Sequence, residues 1–297
     1  MVKTKITYSR DTRRRRENLF NFYKNKFLNM FINKYEWGGI DAQERDFIMK
    51  SYFYDGCIGA LDNKNIGLIY VKFAPGMYNV YNFPIEATPI KPQDYPGTLG
   101  ELIPSKMLKV NKDIVISYIQ NTRVSIYAII EPLINKLVDV EMCINTNVMT
   151  SKLPWFVGVS PEDKNRMQTL IDSILNDEVV VYGDFKDLQA LKSVITNTPY
   201  IIDKLYQYKC SLENEILTFL GVNNMGVLEK KEHMITDEMH QNDESIKTHD
   251  DIFLINMQDF CKKCGEVFNI NISVKNRYEE KEETFEDDEP EEDEENV

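Results

Sequence analysis

The 297-residue sequence predicts an α+β fold, on three observations. Apolar residues recur at steps of three and four along several long stretches, the period of a single helix face. Between these stretches lie β-branched and aromatic runs punctuated by glycine and proline, the pattern of short strands. Charge is concentrated at the two ends, which leaves the middle of the chain free to build a core. Net charge is −13, but Glu279–Val297 holds thirteen acids and one lysine, so everything before it sums to −1. Met1–Glu17 has seven basic residues against two acids.

Composition excludes several classes. The longest apolar runs, Ile114–Ile119 and Ile126–Ile130, fall far short of the ~20 residues a membrane span needs, and the polar, arginine-rich start is not a signal peptide. A soluble, intracellular chain with no membrane partner is expected. Cys57, Cys143, Cys210, Cys261 and Cys264 are odd in number and sparse, which fits free thiols.

In chain order, Arg13–Arg16 lead into a helix whose apolar face is Leu19, Phe20, Tyr23, Phe27, Met30, Phe31 and Tyr35, ended by Gly38-Gly39. Asp41 caps a second helix with Phe47, Ile48 and Tyr52 on its apolar face. Ile66–Phe73 and Met77–Phe83 read as a β-hairpin turning at Ala74-Pro75-Gly76. Pro84, Pro89, Pro92, Pro96 and Pro104 make Ile85–Ser105 loop or short edge strands. A strand to about Gln120 precedes a helix through Ile144 with a kink at Pro132. Trp155–Val159, Pro161–Asn176 and Glu178–Tyr182 form a β-α-β pattern, its helix announced by Ser160-Pro161-Glu162-Asp163. Open edges of so small a unit favour pairing with a neighbouring copy.

Thr198 as cap, Pro199 in the first turn and Gly221 as stop delimit a helix with the stripe Ile201, Leu205, Tyr208, Leu212, Ile216 and Phe219. Val222–Lys247 is polar and of mixed charge, either a charged helix continuation or a long loop, and long loops in compact chains are usually functional. Asp251–Asn256 reads as a strand, Met257–Phe268 as a helix and Asn269–Lys275 as a strand. Glu279–Val297 has too little apolar area to fold.

Motifs of chemistry are sparse. Cys261-Lys262-Lys263-Cys264 has the spacing of half a zinc site, but no second pair exists to complete four ligands, and helical spacing makes both cysteines core positions. There is no phosphate loop, dinucleotide fingerprint or nucleophile elbow, so neither cofactor nor enzyme activity is expected. Asp237, Glu238, Asp243 and Glu244 read as a solvated face rather than an Mg²⁺ site. Arg13, Arg14, Arg15 and Arg16 suit phosphate, because guanidinium pairs with it in a bidentate way and several together release counterions; a solvated helix start is the plainer reading.

One stretch carries a family resemblance. Thr198-Pro199-Tyr200-Ile201-Ile202-Asp203-Lys204-Leu205, Thr218-Phe219-Leu220-Gly221-Val222, Leu228-Glu229-Lys230-Lys231-Glu232, Met234-Ile235-Thr236-Asp237-Glu238 and Asn242-Asp243-Glu244 closely resemble the portal proteins (upper collar, head-tail connector) of small protein-primed short-tailed bacteriophages. Tyr35-Glu36-Trp37, Phe47–Ile58 and the basic arm are similar more loosely, while Asn63–Thr146 aligns only in length and element order.

The resemblance implies a portal fold assembled as a ring, typically of twelve copies. Residues 1–120 would form the arm and first part of a wing, 121–147 a stem helix, 148–197 a small β-α-β clip, 198–222 a second stem helix, 223–248 a channel loop, 249–278 the rest of the wing, and 279–297 a disordered acidic tail. It implies a virion protein at one capsid vertex, assembled in the host cytoplasm. Double-stranded DNA would pass through it in packaging and ejection. Its partners would be the packaging ATPase, a packaging RNA at Arg13–Arg16, the lower collar or tail protein, and the major capsid and scaffold proteins. Lys204, Lys230, Lys231 and His233 would face the DNA channel. A further channel lysine of the family falls near Ile195, where the closest lysine is Lys192. The acidic tail also departs from the family; it is expected on the capsid-interior side, repelling DNA or meeting a basic scaffold protein. The alternative function is a monomeric or dimeric nucleic-acid-binding regulator with a basic arm and an acidic tail; a metal-dependent nuclease is a third.

Overall fold

A computed structural model describes residues 10–63, 67–91, 103–152, 155–157, 193–195, 200–223 and 236–277. Helices and strands mix as an α+β fold requires: α1 (Arg10–Lys34), β1 (Tyr35–Gly38), α2 (Ala42–Tyr54), β2 (Cys57–Asn63), β3 (Gly67–Pro75), β4 (Glu86–Ile90), β5 (Leu108–Lys109), β6 (Val115–Tyr118), α3 (Ile126–Lys152), β7 (Trp155–Val157), β8 (Ser193–Ile195), α4 (Ile202–Phe219), α5 (Thr236–Phe268) and β9 (Ser273–Asn276). The chain divides into two compact units, Met1–Asn21 with Leu133–Glu215, and Phe22–Pro132 with Ile216–Val297.

The second unit holds a five-stranded sheet in the order β5-β4-β3-β2-β6. All its pairings are antiparallel, β2 with both β3 and β6, β3 with β4, and β4 with β5. Leu61, Val71, Phe73, Ala87, Leu108 and Ile114 form a buried cluster on it. A separate aromatic core joins helices of this unit: Phe31 packs against Phe53 and Phe253 with ring centroids 6.0 and 6.1 Å apart, and Phe219 meets Phe253 at 5.9 Å. The two pairs with Phe253 are edge-to-face, a geometry that adds to the burial itself. A two-stranded ribbon, β1 with β9, completes the unit by pairing Tyr35 with Asn276 and Gly38 with Ser273.

Several expectations are corrected. The first helix stops at Lys34, because from Tyr35 onward burial alternates at period two: Tyr35 and Trp37 are buried while Glu36 and Gly38 face out. The hairpin is β2 with β3, not Ile66–Phe73 with Met77–Phe83. In Met77–Phe83 the Asn79 side chain accepts from the amides of Tyr81 and Phe83, both at 2.9 Å, and Asn82 takes φ 61°. Such local bonding offers the backbone an alternative to a strand ladder. Strand β4 is interior to the sheet despite Pro89, yet its second neighbour β5 pairs only at Glu86 and Ala87, so Pro89 sits where pairing is one-sided.

The third helix is continuous through Pro132 and runs to Lys152, starting only at Ile126, where Ser125 Oγ accepts from the amide of Ala128 at 3.2 Å. Asp251–Asn256 is no strand but part of the 33-residue helix α5, whose buried Phe253, Met257, Phe260, Cys261 and Cys264 keep helical spacing. The final strand begins at Ser273, later than the Asn269 start expected. By contrast α2 is capped by Asp41 as expected, with a full capping box to Glu44.

In the first unit β7 pairs with β8 in antiparallel fashion, a partner the sequence did not announce. The helix Pro161–Asn176 and strand Glu178–Tyr182 expected there lie outside the described residues. Ile134, Leu137, Val138, Val140 and Leu212 are its buried apolar side chains on α3 and α4, and Lys209 of α4 ion-pairs with Glu141 of α3 at 2.5 Å. Burial pulls the Lys209 pKa down, and hydrogen bonding to Glu141 with its charge more than reverses this, so the ammonium stays charged.

Candidate nucleic-acid interface

Arg13, Arg14, Arg15 and Arg16 all fall in the opening turns of α1. At 3.6 residues per turn, four consecutive positions spread over about 300° of the circumference, so they surround the helix start rather than form one stripe. Arg13, Arg14 and Arg15 are exposed, whereas Arg16 is half-buried and paired with Asp139 of α3 within the same unit. Three of the four expected phosphate contacts are therefore presented to solvent, and the fourth anchors the arm. Cations at a helix N-terminus oppose the macrodipole, a cost that a bound anion removes.

Lys204 is exposed in the first turn of α4, next to Asp203. Lys230, Lys231 and His233, expected beside it at a channel, lie outside the described residues, as does the acidic tail Glu279–Val297. The helix itself begins at Ile202 rather than Pro199: the carbonyl of Ile201 accepts from Leu205 N at 3.0 Å, while Thr198 and Pro199 are outside the described residues. Its apolar stripe is buried only toward the end. Leu212 and Ile216 are 3% and 0% exposed, against 48% for Tyr208. The polar segment is also shorter than the 223–248 loop expected, since α5 begins at Thr236. Among the described residues, no group of three or more His, Cys, Asp or Glu side chains is arranged to hold a metal ion. The Cys261 and Cys264 thiols are buried in α5, and desolvation pushes both up to about 12, so neither offers a thiolate ligand near neutral pH.

A buried polar knot in the second unit escaped the sequence reading. Lys34, at the end of α1 and 3% exposed, donates to the carbonyl of Leu220 at 3.0 Å and pairs with Asp250 of α5 at 2.5 Å. The Tyr35 hydroxyl donates to Asp250 Oδ1 at 2.8 Å, and Asn276 Nδ2 donates to Asp250 Oδ2. Gly221 turns the chain out of α4 at φ +65°, and any Cβ there would strike Lys34 Nζ and the Asp250 backbone. The lysine thus serves as a cationic cap on the carbonyl end of α4. Four chain segments are fixed at one point where the segment leading to Lys230, Lys231 and His233 departs. Only Gly221 was legible; Lys34 and Asp250 lie 216 positions apart and carry no shared motif.

The family model described as Phage Connector (GP10) matches residues 5–281, almost the whole chain and both units. Among solved structures, the portal and tail of native bacteriophage P68 is similar at 14% sequence identity, covering 92% of this chain and 91% of that chain with a TM-score of 0.45.

Proposed function

The chain belongs to the phage connector family, and on that premise we propose that it forms a closed ring at one capsid vertex, through which double-stranded DNA is packaged and later ejected. The observation that carries this reading is the family match over residues 5–281. The motor and the tail dock on the same ring, and the motor's ATPase is another chain, since this sequence has no phosphate loop. Capsid and scaffold proteins hold its wide part, and Arg13–Arg15 contact nucleic acid, a packaging RNA among the candidates.

Sliding duplex needs a lining that does not trap phosphates, so a few lysines repeated by symmetry suffice to soften the barrier. Lys204, Lys230, Lys231 and His233 take that role in this reading. The segment between Gly221 and Thr236 faces the DNA and resists its slipping back.

Shortening Met225–Ile235, which stops before α5, is the test of the DNA role. Heads assembled with that variant should form in normal number yet retain less packaged DNA, measured as the ratio of filled to empty heads. Normal filled-head yields would overturn the channel assignment of this segment.

A further inference from the structure

A cleft of about 510 Å³ opens in the second unit, lined among others by Phe83, Tyr118, Gln120, Arg123, Asn256 and Lys263. Arg123 dominates its chemistry. The guanidinium carbon lies 4.8 Å from the ring centroid of Phe83 and 5.3 Å from that of Tyr118, so two aromatic faces hold the planar cation. No carboxylate pairs with it among the described residues. Lys263 adds a second positive charge, answered by Asp259 at 3.9 Å, and the remaining lining is rich in amides.

The backbone at Arg123 is unusual for its residue type. Its φ of 59° is left-handed, where glycine or asparagine is cheap and arginine is strained. The turn is closed by Arg123 N donating to the Gln120 carbonyl at 2.9 Å and by Gln120 Nε2 donating to the Val124 carbonyl at 2.6 Å. Asn111, also lining the cleft, takes φ 59°, and Asn82 in the loop beside Phe83 takes 61°. Asparagine tolerates this region, so the strain is carried by Arg123 alone. An arginine at a glycine position, stacked and without a carboxylate partner among the described residues, is built to receive a planar anion through two parallel N–H bonds.

We propose that this cleft receives carboxylates of the chain's own acidic C-terminal segment, Glu279–Val297, and so docks the tail on the second unit. Charge complementarity selects the occupant, because this segment holds thirteen acids. Reach permits it. Strand β9 returns along α5 until Asn276 meets Asp250, so the chain leaves the described structure at the level of Asp250. Lys263 lies thirteen residues further along the same helix, about 20 Å away at 1.5 Å per residue. Nineteen extended residues span roughly 60 Å. The acids of Glu282–Glu295 also lie beyond the residues the connector family model matches, so their partner need not be one that the family shares.

The test couples carboxylates to lysines without a spacer, using carbodiimide on the full chain, and maps the products by peptide mass spectrometry. Lys263 should couple to glutamates of Glu279–Glu295, and the yield should fall at least fivefold in Arg123→Gly and in 0.5 M salt. Glycine suits the backbone at this position, so the variant is expected to keep its fold, checked by circular dichroism. Absence of these products, or products unchanged in Arg123→Gly, would overturn the proposal. Coupling only between isotopically labelled and unlabelled copies would place the tail on a second copy and overturn docking on its own chain. Loss of the products on adding equimolar short single-stranded DNA would assign the cleft to phosphate instead.

Discussion

Gly221 is the residue on which the exit from α4 depends, because a Cβ there meets backbone as well as the Lys34 ammonium. Left-handed backbone alone costs a non-glycine residue roughly 1–2 kcal/mol, and displacing Lys34 from Asp250 adds to this. Gly221→Ala should therefore lower the thermal midpoint markedly. Asp250→Ala should cost about 3–5 kcal/mol, since the buried Lys34 ammonium loses its counter-charge, whereas replacing Lys34 and Asp250 together by Met and Leu should recover part of that loss, the rest reflecting Asp250 as acceptor for Tyr35 and Asn276. Equal losses in the single and double variants would show the pair to be incidental. Cysteines give a pH-dependent counterpart. Burial raises Cys261 and Cys264 from 9.0 to about 12, so both are neutral folded and unfolded below pH 9 and cost nothing there. Above pH 9 the unfolded chain ionises first, and stability should drain away between pH 9 and 12. At pH 8 a thiol reagent should modify the exposed Cys143 long before either. Early modification of Cys264 would contradict the packing described.

At the scale of elements, the basic arm is a helix start, not a loose tail, from Arg10 onward. Arg13→Gln, Arg14→Gln and Arg15→Gln together should weaken nucleic-acid binding and shallow its salt dependence, by roughly 0.7 to 0.9 in log–log slope for each phosphate no longer neutralised. Arg16→Gln should act differently, loosening the pairing with Asp139 more than the affinity. An unchanged slope in the triple variant would remove the arm from the interface. Which elements could be read in advance follows from how local their causes are. The Asp41 cap is a local signal and was plain, as was the Gly221 stop, while the reciprocal bond from Glu44 appears only in the structure. The DIFLIN run from Asp251 looked like a strand because β-branched and aromatic residues cluster there, yet packing of Phe253 against Phe31 and Phe219 keeps it helical. β-propensity mostly reports such packing, so sequence alone could not arbitrate. Met77–Phe83 misled for the opposite reason: Asn79 and Asn82 were visible turn residues, but the apolar run outweighed them. The turn leaves Val80 and Tyr81 92% and 79% exposed, which a half-buried strand would not. The knot at Lys34 and the cleft at Arg123 depend on contacts between distant segments, and only the left-handed turn residues left a local trace.

At the scale of the whole molecule, the family match makes the chain a member of the phage connector family, and the proposed ring gives a use to apolar residues that the single chain leaves exposed. Tyr200, Ile201, Tyr206 and Tyr208 stand out at the start of α4, a helix whose later turns are buried. Scattered exposed apolar residues need no explanation, but such a run on one helix start is of the kind that subunit contacts cover. A heterologous interface repeated by rotation closes into a ring only if the angle divides a full turn, and failure to close gives filaments instead. Imaging of the purified full chain by negative-stain microscopy, with the mass of the particle read by native mass spectrometry, therefore tests the central claim most directly. A uniform ring with a central hole wide enough for duplex DNA and a whole-number multiple of the 34.8 kDa chain is the predicted result. A monomer or dimer at every protein concentration would contradict it.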